Sequence, residues 1–124
     1  MKLIENENVV FCDVDETLVV WDKEYQHEKV SRDNEIILKD PYTGDTLYLQ
    51  RHMPHIRLLK QYKGRGFTII VWSKAGCKWS EEVVKKLGLE EYVDYCMTKP
   101  DRYLDDKTNP EEIIGVRVYL NNNV

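Results

Sequence analysis

Two aspartates one residue apart, Asp13 and Asp15, close the apolar run Val9-Val10-Phe11-Cys12. The run reads as a buried strand that delivers two carboxylates to its carboxyl end. Open α/β sheets build their sites at that end, where an Asp side chain can act as nucleophile, proton donor or ligand to a hard cation. The plainer reading is that both residues cap a turn, because Asp is common wherever a strand gives way to a loop. Two more strand-like runs also end in polar groups, Val71-Trp72-Ser73-Lys74 and Arg102-Tyr103-Leu104-Asp105-Asp106. Three such endings favour one shared site over three unrelated turns.

The elements that must position these groups follow from local pattern. Strands are expected over residues 9–13, 35–39, 46–50, 67–72, 92–97, 102–104 and 116–120. The link Asp40-Pro41-Tyr42-Thr43-Gly44-Asp45 between the second and third of these is hairpin punctuation. Pro54 suits a helix's first turn, Ile56, Leu59 and Tyr62 share a face, and Gly64 and Gly66 stop it. A second helix opens at Ser80-Glu81-Glu82 and closes at Gly88. The stretch 18–34 is turn-rich without a clean period. Strands alternating with helices imply an α/β fold with a mostly parallel sheet and right-handed crossovers.

In its motifs the chain resembles the haloacid dehalogenase-like phosphohydrolases. Asp13-Val14-Asp15-Glu16-Thr17-Leu18 fits the first motif, Asp-x-Asp-x-Thr-Leu after a hydrophobic strand. Ile69-Ile70-Val71-Trp72-Ser73 fits the second, Lys99 the third and Asp105-Asp106 the fourth, in the expected order over almost the whole chain. The resemblance implies a Rossmann-like three-layer sandwich as a single domain over 1–124. Between the first motif and the first helix there is room only for a β-hairpin flap, about 35–50, on a capless enzyme.

The resemblance also implies roles. Asp13 would attack phosphorus to give an aspartyl-phosphate, and Asp15 would protonate the leaving group and later take a proton from water. Asp13, the Asp15 carbonyl and one or both of Asp105 and Asp106 would hold Mg²⁺, and Lys99 would offset the gathered negative charge. Ser73 would donate to a phosphate oxygen, with Lys74 as a further substrate contact. Lys99 is preferred over Lys74 and Lys78 because of its Lys-Pro context and its spacing to Asp105. A conflict attends it, since only 98–101 separate two runs expected on opposite sides of the first strand. Either 92–97 is not a true parallel strand, or that strand is shortened and the sheet reduced.

A basic run, Arg51, His52, His55, Arg57, Lys60, Lys63 and Arg65, lies along and before the first helix. Most of it reads as a solvated face. Arg51 and His52 fall at the helix start, near the expected site, and are candidate substrate contacts. Trp21, Trp72 and Trp79 are core or rim, and position along the chain does not decide which.

Composition bounds the rest. A chain of 124 residues with 42% hydrophobic content builds one core. A net charge of −4 argues against bulk attraction to nucleic acid while leaving room for a local basic patch. Cys12, Cys77 and Cys96 lack metal-type spacing and, odd in number, fit reduced thiols. With no membrane-length apolar run, the chain reads as cytoplasmic, and the resemblance implies a Mg²⁺-dependent phosphatase. A polynucleotide end or other large phosphate is the favoured substrate, with a phosphoprotein or small nucleotide as the alternative. An inactive phosphate-binding module or a structural part of an assembly are the competing classes, disfavoured by the intact aspartates.

Overall fold

A computed structural model of the chain describes residues 1–21 and 33–122. Most of the turn-rich stretch 18–34 therefore lies outside the described residues. The elements, in order, are β1 (Val9–Asp13), β2 (Val19–Val20), β3 (Glu35–Lys39), β4 (Thr46–Arg51), α1 (Met53–Gly64), β5 (Thr68–Ser73), α2 (Cys77–Lys86), β6 (Tyr95–Thr98) and the single turn α3 (Pro110–Ile113).

Three parallel strands form the main sheet in the order β1-β5-β6, and β2-β4-β3 form a small antiparallel sheet. The α/β class and the hairpin are as expected. Because β1, α1, β5, α2 and β6 advance in one direction across the sheet, right-handed crossovers put both helices on the same face. That face carries Ile69 and Val71, which join Ile56 and Leu59 of α1 and Trp79, Val83 and Val84 of α2 in one buried core. On the opposite face Phe11 stacks on Trp72 at 4.3 Å, and Phe11, Tyr95 and Met97 remain exposed. The described residues thus make two layers over the parallel sheet, where three were expected.

The conflict over strand spacing resolves by shortening. Residues 92–97 become the four-residue β6, shifted to Tyr95–Thr98, and neither 102–104 nor 116–120 forms a strand. A place beyond the open edge of β1 lies three inter-strand spacings from β6, roughly 14 Å. A parallel strand must also start at the far end of the sheet, whereas the three residues 99–101 that follow β6 reach at most about 11 Å. Without an edge to pair with, Tyr103 and Leu104 stay exposed at 70% and 104%.

The flap is a packed element. Ile36, Leu38, Leu49 and Val19 point inward and join the main core, as alternation along a half-buried hairpin allows. At its tip the Asp40 carboxylate accepts from the Tyr42 and Thr43 amides at 2.8 and 3.3 Å, and Gly44 takes φ 82°. The tip reaches α2: a Cβ added at Gly76, the residue before the helix, would overlap the Tyr42 hydroxyl. α2 begins one turn earlier than the Ser80-Glu81-Glu82 signal suggested, because Gly76 caps it and Ser80 is buried within it. No helix among the described residues is long and apolar enough to cross a membrane.

Candidate active site

β1 ends on Asp13, paired in register with Trp72 of β5. The chain then folds back tightly, with the Leu18 and Val19 amides both donating to the Val14 carbonyl at 2.8 and 3.2 Å. Glu16 pays for this reversal with a left-handed φ of 62°, uncommon for a residue with a side chain. The hairpin-like return sets Asp13 and Asp15 at the top of the sheet and places Thr17 beside the first of them, its Oγ1 3.4 Å from Asp13 Oδ2.

Lys99 follows β6 and is anchored by its amide, which donates to the Ser73 carbonyl at 2.9 Å. Its Nζ lies 3.9 Å from Asp13 Oδ1 and over the Trp72 ring. Lys74 points elsewhere, donating to the Pro100 carbonyl at 2.6 Å and pairing with Asp101. Of these two lysines, Lys99 is the one beside Asp13.

Asp15 is held by three donors: Trp21 Nε1 at 2.7 Å and Trp79 Nε1 at 3.1 Å on Oδ1, and Ser73 Oγ at 3.3 Å on Oδ2. Ser73 is buried, and its Oγ also accepts from the Ala75 amide at 3.0 Å. Its hydroxyl hydrogen is thus directed at Asp15, and donation to a phosphate takes a rotation of that hydroxyl. Beside Asp15, Trp21, Asp40, Tyr42, Leu47, Ala75 and Trp79 line a cleft of about 230 Å³ between flap and α2.

Two expected substrate contacts have side chains engaged within the fold. Arg51 donates from Nη1 to the Glu35 carbonyl at 2.8 Å and so ties β4 to β3. His52 is fully buried, because it caps α1: its Nδ1 accepts from the His55 amide at 3.3 Å. Its ring stacks on His55 at 3.8 Å. The place of Arg51 and His52 at the helix start suggested substrate contacts, but the α1 start is where β4 turns into the core. The acidic pair is also apart from the aspartates of β1. Asp105 accepts from the Lys107 amide at 2.8 Å, and exposed Asp106 faces Lys107. Among the described residues no group of three His, Cys, Asp or Glu side chains is placed to hold a metal.

What sequence reading missed is the pair of indoles on Asp15. Their positions, six and 64 residues from Asp15, carry no local signal. Cys12 is not poised as a nucleophile: burial and the neighbouring Asp13 carboxylate push its thiol up to about 12, so it stays protonated at neutral pH.

Residues 116–120, expected as a strand, lie instead against the loop after β1. The Tyr119 hydroxyl donates to the Glu16 carbonyl at 3.0 Å, and the Leu120 amide donates to His55 Nε2 at 2.7 Å. His55 Nδ1, 2.8 Å from the Thr17 carbonyl, must then be the protonated nitrogen. Burial, and then the electrostatic influence of the stacked His55 ring, hold His52 below its ordinary value near 6.5. The unfolded chain therefore binds a proton that the folded chain refuses. Stability is expected to be full above about pH 6.5 and to fall as the pH drops below it. Denaturant melts at pH 5 and 7.5 check this, and His52→Asn, which keeps a helix-capping side chain, should flatten the difference.

Comparison of the chain with protein-family models, curated proteins and solved structures found no significant match.

Proposed function

We propose that the chain is a phosphomonoester hydrolase that works through an aspartyl-phosphate on Asp13. The observation that carries this reading is the pairing of Asp13, at the end of β1, with the Lys99 amine 3.9 Å away, two residues before a second carboxylate fixed by three donors. Phosphoryl transfer needs an in-line nucleophile, a positive charge beside the phosphoryl oxygens and a proton for the leaving oxygen. Asp13, Lys99 and Asp15 are of the types that supply these, and Thr17 orients the nucleophile through Oδ2.

Mg²⁺ characteristically takes one or two carboxylates and completes its shell with phosphate oxygens and water. The Asp13 carboxylate and the Asp15 main-chain carbonyl are oxygen donors of that kind, so the residues at the end of β1 fit it. When bound, the ion would supply further charge neutralisation on the phosphoryl group. Asp105 and Asp106 would join only if the chain after Pro100 were drawn toward β1.

Asp13 and Lys99 line a separate, open cleft of about 1090 Å³, broader than the roughly 300–1,000 Å³ of pockets that enclose a small ligand. We therefore favour a phosphate carried on a large substrate, such as a polynucleotide end, recognised by surface contacts. With Arg51 and His52 engaged internally, attraction to such a polymer would fall to exposed Lys74 and Lys78 and to Lys99.

The test is hydrolysis of an aryl phosphate, a phosphopeptide and a terminally phosphorylated oligonucleotide, with Mg²⁺ and with chelator. Hydrolysis that vanishes with chelator, and is most efficient on the oligonucleotide, is expected. No hydrolysis of any ester would return the chain to the class of binding modules. In the same assay, Asp105→Ala and Asp106→Ala are expected to lower activity unequally, since adjacent carboxylates cannot face one centre alike. Full activity in both variants would remove the pair from the site.

A further inference from the structure

Trp79 belongs to α2 and is 3% exposed, whereas Trp21 follows β2 of the flap sheet and is 38% exposed. Their ring centroids are 6.1 Å apart and the planes are tilted by 46°. They nevertheless converge on one atom, Asp15 Oδ1. An indole has a single N–H and no acceptor, so each ring commits its entire hydrogen-bonding capacity to that oxygen. Trp21 is itself fixed by its amide, which donates to Glu16 Oε1 at 3.0 Å.

A carboxylate oxygen offers two in-plane lone pairs, and two N–H donors occupy both. A proton cannot settle on Oδ1 without expelling an indole. Oδ2 faces the Ser73 hydroxyl at 3.3 Å, and a hydroxyl can turn to accept when a proton sits on its neighbour. The two oxygens of Asp15 are thereby made unequal.

We propose that Trp21 and Trp79 are positioning residues that lock Asp15 in one orientation and leave Oδ2 as its proton-carrying oxygen. The proposal rests on the hydrolase reading above. In the first step an Asp13 oxygen bonds to phosphorus, the bond from phosphorus to the leaving oxygen breaks, and that oxygen takes the proton from Asp15 Oδ2. In the second step water attacks phosphorus, its proton passes to Asp15 Oδ2, and the bond from phosphorus to Asp13 breaks. One donor comes from the flap side and the other from α2, so the acid is set only when both are in place. The contact of Tyr42 with Gly76 holds the same junction.

Trp21→Phe and Trp79→Phe keep an aromatic ring and remove the N–H. Each should be compared with wild type on an aryl phosphate, whose leaving group departs with little protonation, and on an alkyl phosphate, which needs it. Loss of one hydrogen bond to a charged group should lower kcat on the alkyl ester about tenfold more than on the aryl ester, with KM unchanged. An equal loss on both esters would show a merely structural role and overturn the proposal. If Trp79→Phe, being buried, fails to give a wild-type circular-dichroism spectrum, Trp21→Phe at the rim decides alone. If wild type hydrolyses neither ester, the hydrolase reading falls, and the fixture is judged by the two indole N–H resonances in ¹⁵N-labelled protein. Asp15→Ala should shift both and speed their exchange with solvent. Unmoved resonances would overturn it.

Discussion

If the protein is the proposed phosphomonoester hydrolase, Asp13→Asn is expected to abolish hydrolysis of every ester it accepts, by more than about 10³-fold, while leaving the fold intact. Asparagine is nearly isosteric, so it can still accept from Thr17 Oγ1, which lies 3.4 Å from Oδ2. What it cannot do is attack phosphorus. The substitution also removes the negative partner of Lys99, but that contact is long at 3.9 Å and partly exposed, with side chains 36% and 37% accessible. Exposed pairs of this sort contribute little to stability. A loss of turnover with an unchanged thermal midpoint is therefore the expected pattern. Retention of wild-type rates would remove Asp13 as nucleophile, and trapping of a phosphorylated wild-type protein that the variant fails to form would support it.

The second large effect is on stability. Gly76→Ala is expected to destabilise the fold by about 2–4 kcal/mol, combining backbone strain with a steric overlap. Gly76 has φ 109° and ψ 161°, a region that residues with a Cβ scarcely enter. The added methyl would also meet the Tyr42 ring, whose Cζ is 3.0 Å away and whose hydroxyl is closer still. The two causes separate in a double-mutant cycle. In a Tyr42→Ala background the overlap is gone, and the penalty for Gly76→Ala should shrink to the backbone share, about 1–3 kcal/mol. Urea melts of the four proteins give the answer. The same penalty in both backgrounds would mean that the flap tip does not press on Gly76. Because Gly76 sits three residues after Ser73, this packing also connects the flap to the Asp15 cleft.

Strand β1, the hairpin of β3 and β4 and the buried face of α1 were legible because each is written in local periodicity. Alternation and an Asp-Pro-Tyr-Thr-Gly-Asp turn place the hairpin, and the spacing of Ile56 and Leu59 sets the helix face, where both are buried. The nearness of Lys99 to Asp13 was legible only through motif order, since 86 positions of chain separate them, and the sheet closes that distance by setting β6 two places from β1. Elsewhere pattern misled. Residues 102–104 have strand-like composition, but the short link after β6 does not reach a free edge, and 116–120 instead spend polar groups on the Glu16 carbonyl and the His55 ring. His52 has the position of a substrate contact, yet the turn of the chain into α1 buries it completely.

The two carboxylates, their spacing and their place at a strand end are properties of adjacent residues, and neighbouring residues share one stretch of backbone whose geometry is set locally. Which oxygen of Asp15 is occupied depends on Trp21 and Trp79, brought in on different elements. Hydrogen bonds are directional and short-ranged. Their partners are chosen only when the flap sheet and α2 pack against the same core, and composition and period carry no trace of that choice.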